Sequence, residues 1–325
     1  MTIIAGIDEA GYGPRLGPLF TSCAAFRVAR DGPANPGGLW AELSACVARP
    51  GENGGDGRFT VGDSKALYSS GRGLARLEHA LLAFLAAGDG AHPEAAEDLS
   101  RRLLSARCRA SLAEHPWYAD RGERLPADCD GKELAASAER LAAECALRRA
   151  LPVHFAARAL AEGEFNRRVA RLGNKATALL ELVAELLAGL RAAAGGERLE
   201  VCVDRLGGRT DYAPLLARAF PGAFAWEESR SAEVQRYRLE GLAGPTFVTF
   251  QVRAEQESFP VALASMTSKY LRELYMRRFN AWWQRLVPEL PQTSGYHADA
   301  NEFLAALAPH RQRLGVSEAS LVRCR

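Results

Sequence analysis

The spacing of apolar and polar positions along the chain predicts strands and helices that follow one another in turn. Short apolar runs predict buried strands over Thr2–Ile7, Leu19–Val28, Leu199–Asp204 and Thr246–Val252. Apolar residues at helical spacing predict helices over residues 74–85, 175–190, 261–286 and about 299–307. Residues 31–63, rich in Gly, Pro and Asn, predict a loop with one short helix near Leu39–Val47. This alternation indicates an α/β fold with a mixed central sheet flanked by helices.

One stretch of the chain is too long to be a plain connection between these elements. Residues 86–170 are rich in Ala, Arg and Glu and are interrupted by prolines, which predicts several helices. We therefore expect residues 1–85 and 171–290 to form one domain, interrupted by a helical insertion at residues 86–170. Residues 291–325 are expected to form a helical C-terminal extension that packs on that domain.

The composition excludes several classes of protein. The 325 residues are 48% apolar and 25% charged with a net charge of +2, so a disordered or fibrous chain is excluded. There is no run of about 18 apolar residues to span a membrane, and the N-terminus lacks the basic region of a signal peptide. The seven cysteines are odd in number and form no C-x-x-C pair, which favours free thiols and predicts a cytoplasmic protein.

Several common catalytic signatures are absent from the sequence. It contains no complete dinucleotide-binding fingerprint, no phosphate-binding P-loop, no nucleophile elbow and no H-E-x-x-H zinc motif. The six histidines do not pair at the spacing of metal ligands. Chemistry in this chain is therefore expected to depend on other side chains.

Acidic residues at the ends of predicted strands are the candidates that remain. Asp8 and Glu9 follow the first strand and Asp204 ends a later one, and sites in α/β sheets form at the carboxyl ends of strands. Asp8 and Glu9 would converge only if the chain leaves the strand there, which Gly11 and Gly13 permit. Clustered carboxylates without His or Cys suit Mg²⁺ or Mn²⁺. The alternative is that these acids are helix caps or solvated strand ends.

The run around these acids resembles the signature of a known family. Residues 6–18 read Gly-Ile-Asp-Glu-Ala-Gly-Tyr-Gly-Pro-Arg-Leu-Gly-Pro. They are similar to the G-[IV]-D-E-A-G-[RK]-G-P-x-x-G-P of type 2 ribonucleases H, the ribonucleases HII and HIII. Four further blocks resemble motifs of this family in the same order along the chain: residues 62–67, 201–204, 262–273 and 294–297.

The resemblance implies a ribonuclease H-like fold and a metal-dependent endonuclease. Its substrate would be an RNA/DNA hybrid or a ribonucleotide-containing duplex DNA, and cleavage of the RNA strand would leave 5′-phosphate and 3′-hydroxyl ends. A two-metal Mg²⁺ or Mn²⁺ site would be held by catalytic acids at the matching positions, which are Asp8, Glu9, Asp204 and Glu273. Substrate contacts would come from Gly11, Tyr12, Gly13, Ser64, Lys65, Lys269 and Tyr296.

Two positions depart from the family pattern. Tyr12 stands where the family has a basic residue, which leaves open whether a single embedded ribonucleotide or a long hybrid is preferred. Glu273 stands where Asp is usual in ribonuclease HII, and its alternative role is a helical ion pair with Lys269 or Arg277. Two other functions therefore stay open, which are a weakly catalytic nucleic-acid-binding relative and a nuclease of the same fold with another substrate, such as a DNA junction.

Charge is distributed unevenly along the chain. Residues 269–325 contain nine Lys or Arg and five acids, a local balance of +4, with Trp282 and Trp283 among them. Such a stretch is compatible with nucleic-acid binding. The alternative is that the two tryptophans belong to the core. No protein partner is predicted.

Overall fold

A mixed β-sheet forms the centre of the molecule, which the computed structural model describes over residues 1–29, 37–52, 57–68, 73–207, 209 and 211–324. The strands found there are β1 (Thr2–Ala10), β2 (Leu19–Val28), β3 (Val47–Ala48), β4 (Phe59–Thr60), β5 (Ala150–Leu160), β6 (Arg198–Asp204), β7 (Phe224–Arg230), β8 (Val234–Glu240) and β9 (Thr246–Gln251). Seven of these make one sheet in the order β5-β2-β1-β6-β9-β8-β7, and β3 pairs with β4 apart from it.

Helices cover both faces of the large sheet. In the described residues they are α1 (Gly38–Glu42), α2 (Ser64–Tyr68), α3 (Gly73–Asp89), α4 (Ala96–Leu103), α5 (Ala106–Ala113), α6 (Gly131–Arg148), α7 (Glu162–Leu172), α8 (Lys175–Ala194), α9 (Ala213–Ala219), α10 (Ala254–Glu257), α11 (Phe259–Leu286), α12 (His297–Arg311) and α13 (Glu318–Leu321). The predicted α/β fold with a mixed sheet flanked by helices is confirmed.

Strand β1 lies inside the sheet, between β2 and β6, and helices bury both of its faces. Ile4 belongs to an apolar core that contains much of α11, whereas Ile3 and Ile7 belong to a second core that contains much of α8. A strand covered on both faces has a continuous apolar sequence. The prediction of a buried strand at the N-terminus is therefore confirmed.

Three neighbouring strands run in the same direction. β1 pairs with β6 in parallel, and β6 pairs with β9 in parallel. Their carboxyl ends therefore lie at one edge of the sheet, which we call the carboxyl edge. Side chains that are far apart in sequence come together there.

The prediction that residues 86–170 are wholly helical is wrong for β5. This strand pairs antiparallel with β2 along its whole length and forms one border of the sheet. Its sequence contains four alanines and one proline, and alanine favours helix in isolation. Pairing with β2 and burial of Ala157 and Leu160 override this weak preference. The division of the chain into domains stays a prediction.

Other boundaries also differ from the prediction. β1 continues through Asp8 and Glu9 to Ala10, where the sequence predicted that the strand would end first. β7 and β8 were not predicted, because β7 is exposed along nearly its whole length and β8 buries only every second residue, so both give a weak apolar signal. The helix predicted near Leu39–Val47 is shorter and ends at Glu42. Residues 31–36 and 53–56 of the predicted loop lie outside the described residues.

The basic stretch at 269–325 is not an exposed basic face. Arg272, Arg278 and Arg323 are buried, and Trp283 is packed in the core against Trp117, with ring centroids 5.6 Å apart. The tryptophans therefore have the core role that was the alternative. None of the described helices is both long enough and apolar enough to cross a membrane.

Close packing of α11 on β1 depends on a glycine. A Cβ atom at Gly6 would overlap the backbone of Pro260 and Val261 at the start of α11. No rotamer change relieves a contact between Cβ and backbone. The helix and the strand can therefore touch at this point only without a side chain.

We expect Gly6→Ala to lower the free energy of unfolding by about 3 kcal/mol, because the start of α11 must move away from the sheet. Urea denaturation measures this change. The matched control is Gly189→Ala in α8, where a Cβ would meet nothing within 4 Å. Since alanine favours helix over glycine by about 1 kcal/mol, the control should be neutral or stabilising. Equal stability of the two variants would contradict the packing argument.

Candidate active site

Acidic side chains gather at the carboxyl edge. Asp8 lies near the end of β1, and Asp204 is the last residue of β6. Asp8 is buried and Glu9 and Asp204 are half-buried. The backbone amide of Glu9 donates to Oδ1 of Asp8 at 2.8 Å, and the amide of Ala254 donates to Oδ1 of Asp204 at 2.9 Å. The three acids predicted from the sequence are thus brought to one place.

Burial and mutual repulsion disfavour the charged forms of these acids. Burial raises the pKa of Asp8 well above its ordinary value, and the negative charges of Glu9 and Asp204 raise it further. Burial is also the largest cause that raises the pKa of Asp204, to about 7, with Glu9 adding to it. The pKa of Glu9 is raised by burial, and the cation of Lys65 opposes this. The cluster is short of positive charge.

A fourth acid joins the cluster from an unpredicted position. Glu255 lies in α10, which follows the end of β9, and it is close enough to Asp204 for the two carboxyl groups to interact. Its negative charge raises the pKa of both Asp204 and Glu9. The sequence contained a partial signal for Glu255, because it comes three residues after the predicted strand Thr246–Val252.

Glu273 has a different environment. Its Oε1 accepts from Nζ of Lys269 at 2.6 Å, and its Oε2 accepts from the hydroxyl of Tyr68 at 3.0 Å. Burial and the charge of Glu273 raise the pKa of Tyr68 to about 12. The structure thus shows the helical ion pair with Lys269 that was the alternative role. A metal-binding role for Glu273 stays a prediction.

The donor set fits a hard divalent cation in its chemistry. Asp8, Glu9, Asp204 and Glu255 offer carboxylate oxygens only, and each is buried enough to lack full hydration. Over the part of the chain that the structure describes, no three acid, His or Cys side chains stand close enough together to hold an ion as they are oriented. Binding would therefore require these side chains to reorient toward a common point.

A glycine-containing turn connects β1 to β2 beside this cluster. Its tip, Gly11–Gly13, includes Gly11 at φ 93°, a left-handed conformation that favours glycine, and Tyr12 and Gly13 reach solvent. Its base is held by Arg272 of α11, which is fully buried and donates to the carbonyl oxygens of Pro18 at 2.9 Å and Leu16 at 3.2 Å. The turn is therefore held at its base by Arg272 and exposed at Gly13.

The same arginine fixes a second turn. Nη2 of Arg272 donates to the carbonyl oxygen of Ser294 at 2.7 Å, and Cβ atoms at Gly17 or Gly295 would contact its guanidinium. Tyr296, predicted to contact substrate, is 45% exposed on this turn, with its ring centroid 5.8 Å from Cζ of Arg272. Arg272 thus links the two turns that were predicted to contact substrate. Its place in the basic stretch at 269–325 did not indicate this role.

A buried acid and a second buried arginine complete the support of the turn. Glu162 of α7 accepts from the amide of Gly17 at 2.9 Å and from the hydroxyl of Tyr118 at 2.7 Å. Arg323, near the C-terminus, donates to the carbonyl oxygen of Pro14, and its amide donates to the carbonyl oxygen of Arg15 at 2.9 Å. The insertion and the C-terminal segment both contact the turn through these residues.

The other predicted substrate residues lie on the α11 side of the cluster. The hydroxyls of Ser64 and Ser265 are 3.0 Å apart, and Ser265 also hydrogen-bonds to Asp8. Lys65 is exposed and close enough to lower the pKa of Glu9. Lys269 is held by Glu273 and lies 4.3 Å from the ring centroid of Tyr68. Ser64 and Lys65 therefore adjoin the acids, whereas Lys269 is already paired.

The fold and the site define an α/β protein with a buried carboxylate cluster at the carboxyl edge of a mixed sheet. No protein-family model matches the chain, and no curated protein matches it. Similar folds are found among solved structures.

Similarity to solved structures over nearly the whole chain is to type 2 ribonucleases H. Ribonuclease HII of Archaeoglobus fulgidus, solved in complex with PCNA, is 17% identical and has a TM-score of 0.42, over 99% of this chain and 94% of that one. Ribonuclease H2 of Pyrococcus horikoshii OT3 is 14% identical with a TM-score of 0.40, over 98% and 92%. Bst-RNase HIII with Mn²⁺ is 14% identical with a TM-score of 0.44, over 99% and 66%.

Proposed function

We propose that this chain is a metal-dependent endonuclease that hydrolyses the RNA strand of RNA/DNA hybrids, leaving 5′-phosphate and 3′-hydroxyl ends. The observation that carries the proposal is the convergence of Asp8, Glu9, Asp204 and Glu255 at the carboxyl edge, where burial and the charge of at least one neighbouring acid raise the pKa of Asp8, Glu9 and Asp204. Such a cluster is costly to bury without cations. The resemblance of residues 6–18 to the type 2 ribonuclease H signature supports the same reaction.

Mg²⁺ or Mn²⁺ suits this cluster, and the same four acids would hold it. The chemistry that such ions supply is polarisation of the phosphoryl group and of the attacking water, and neutralisation of charge at the leaving oxygen. Asp8, Glu9 and Asp204 lie at the ends of β1 and β6, and Glu255 lies in α10 just after the adjacent parallel strand β9, which keeps the four acids within one small region. This arrangement also excludes much of the bulk water, because Asp8 is buried beneath α11.

The glycine-containing turn is suited to distinguish RNA from DNA. A protein makes that distinction through the 2′-hydroxyl, which both donates and accepts hydrogen bonds. Gly13 is exposed and carries no side chain that would keep a sugar away from the backbone, and the turn adjoins Glu9 through Tyr12. Tyr296 is exposed on the adjacent turn that Arg272 holds. A ribose between these two turns would lie next to the acids.

We expect the wild-type chain to cleave a long RNA/DNA hybrid in the presence of Mg²⁺ or Mn²⁺. Cleavage should stop when EDTA removes the metal. Asp8→Asn should abolish cleavage while hybrid binding persists, because it removes one charge from the cluster without removing the turns. A second substrate, a DNA duplex with one embedded ribonucleotide, tests whether Tyr12 permits recognition of a single ribose. Gel analysis of end-labelled strands measures the products.

Three results would contradict the proposal. Undiminished cleavage by Asp8→Asn would show that the acid cluster is not the active site. Tight hybrid binding without turnover in either metal would favour a weakly catalytic relative. Cleavage of a four-way DNA junction but of neither ribonucleotide-containing substrate would favour a nuclease of the same fold with another substrate.

A further inference from the structure

A cavity of about 290 Å³ opens beside the glycine-containing turn, on the side of Tyr12 away from Glu9. Four side chains that carry or can carry positive charge line it, namely Arg15, Lys175, His297 and Arg323. None of the described residues that line it is acidic. We call it the turn cavity. A concave site with cations only is suited to an anion.

The polar groups of the turn cavity come from four separate parts of the chain. Arg15 belongs to the turn, Lys175 begins α8, His297 begins α12, and Arg323 lies beyond α13. The first turn of a helix leaves amide groups without intrahelical partners, and its dipole favours negative charge. Two long helices therefore direct their N-terminal ends toward the same small volume as the cations.

Arg323 has donors that the protein leaves unsatisfied. It is 3% exposed, and its Nε and Nη1 atoms are buried without a hydrogen-bond partner, while Nη2 donates to the carbonyl oxygen of Pro14. The nearest balancing charge is Glu162, whose Oε2 is also without a partner. Buried guanidinium donors without partners are unusual and point to a ligand or to a charge nearby.

Lys175 is a half-buried cation of the turn cavity. Its Nζ lies 4.9 Å from the ring centroid of Tyr12, a cation–π contact that places the charge next to the turn tip. Among the described residues, none supplies a carboxylate within ion-pair distance of Lys175. Its positive charge is therefore available to an incoming anion.

We propose that the turn cavity binds a backbone phosphate of the polynucleotide substrate, flanking the phosphate that is cleaved, with Lys175 as its principal cation. The proposal rests on the proposed nuclease function for the identity of the anion. Tyr12 separates the turn cavity from Glu9, so the two sites lie within one side chain of each other. A single strand that enters the acid cluster would bring a neighbouring phosphate to Lys175.

The first test measures hybrid binding in the Asp8→Asn background, which prevents cleavage. Adding Lys175→Ala should lower affinity about fivefold to tenfold at low salt and reduce the slope of log K against log salt by about 0.9, the effect of one phosphate contact. Lys175→Arg should preserve most of the affinity. The control is Lys132→Ala, an exposed lysine at the start of α6, which should change neither quantity.

A chemical scan locates the contact. Hybrids in which one phosphate at a time is replaced by an uncharged methylphosphonate should include one position that weakens binding of Asp8→Asn. At that position the substitution should have no further effect once Lys175→Ala is present. Independent effects of the two changes at every position would overturn the proposal.

A second test does not depend on nuclease activity. Inorganic phosphate titrated into the metal-free protein should shift the ring resonances of His297 in a saturable manner, and Lys175→Glu should abolish the shift. Saturable phosphate binding without hybrid cleavage would support an anion site in the turn cavity and contradict the proposed function. If the chain cleaves hybrid but the Lys175 substitutions have no effect in either test, phosphate binding in the turn cavity would be overturned. The proposed function would be unaffected by that result.

Discussion

Glu255→Gln is expected to lower kcat for hybrid cleavage about a thousandfold. The substitution keeps the shape of the side chain and removes one negative charge from the cluster at the carboxyl edge. A charge about 4 Å from a divalent ion at an effective dielectric of about 20 contributes about 4 kcal/mol or more, and about 1.4 kcal/mol is a factor of ten in rate. Single-turnover cleavage at saturating metal measures the loss.

The matched control for this prediction is Glu257→Gln. Glu257 lies two residues further along α10 and is exposed, so its loss should change kcat less than twofold. Titration of Mn²⁺ alone, monitored by calorimetry, provides a readout without turnover. Glu255→Gln should weaken Mn²⁺ binding at least tenfold, whereas Glu257→Gln should not change it.

Glu273→Gln separates the two assignments of the fourth acid. If Glu255 completes the cluster, Glu273→Gln breaks only the ion pair with Lys269 and the hydrogen bond from Tyr68. The expected effect is then less than tenfold on kcat, with unchanged Mn²⁺ binding. A thousandfold loss in Glu273→Gln together with an active Glu255→Gln would support the assignment made from the sequence motif.

Three of the four acids in the cluster could be predicted from the sequence. Asp8, Glu9 and Asp204 were recognisable because a short apolar run precedes each acid, and runs of this kind form buried strands. That β9 lies beside β6, parallel to it, is a property of sheet order, which no local pattern contains. Glu255 depends on that order, and it lies in a short helix after β9. The sequence showed Glu255 to follow a strand, but only the structure shows that it lies beside Asp204.

Sequence counts of charge could not predict where the charges lie. The stretch at 269–325 has a balance of +4, yet Arg272 and Arg323 are buried beneath the glycine-containing turn. Arginine reaches such positions because its planar group satisfies several carbonyl oxygens at once. β5 shows the same limit for secondary structure, since pairing with β2 overrides the helical preference of its alanines.

Arg272→Met is expected to lower the free energy of unfolding by about 3 to 5 kcal/mol. Methionine fills much of the space but leaves the buried carbonyl oxygens of Leu16 and Pro18, and the carbonyl oxygen of Ser294, without their donor. The turn and the Tyr296 segment would then lose their common support. Urea denaturation measures the stability, and far-UV circular dichroism identifies conditions in which the variant is still folded.

Under those folded conditions, activity measurements on Arg272→Met show whether Arg272 positions the substrate-contacting turns in addition to stabilising the fold. Because displacement of a substrate-contacting segment by about 1 Å can cost a hundredfold in rate, kcat/KM for the hybrid should fall about a hundredfold. Mn²⁺ binding should be unchanged, since the acids lie on other elements. The control is Arg278→Met, a buried arginine one and a half turns along α11 that pairs with Asp120 and Glu123. It should lose stability and keep kcat/KM, so an equal loss of kcat/KM in both variants would mean that Arg272 acts only through stability.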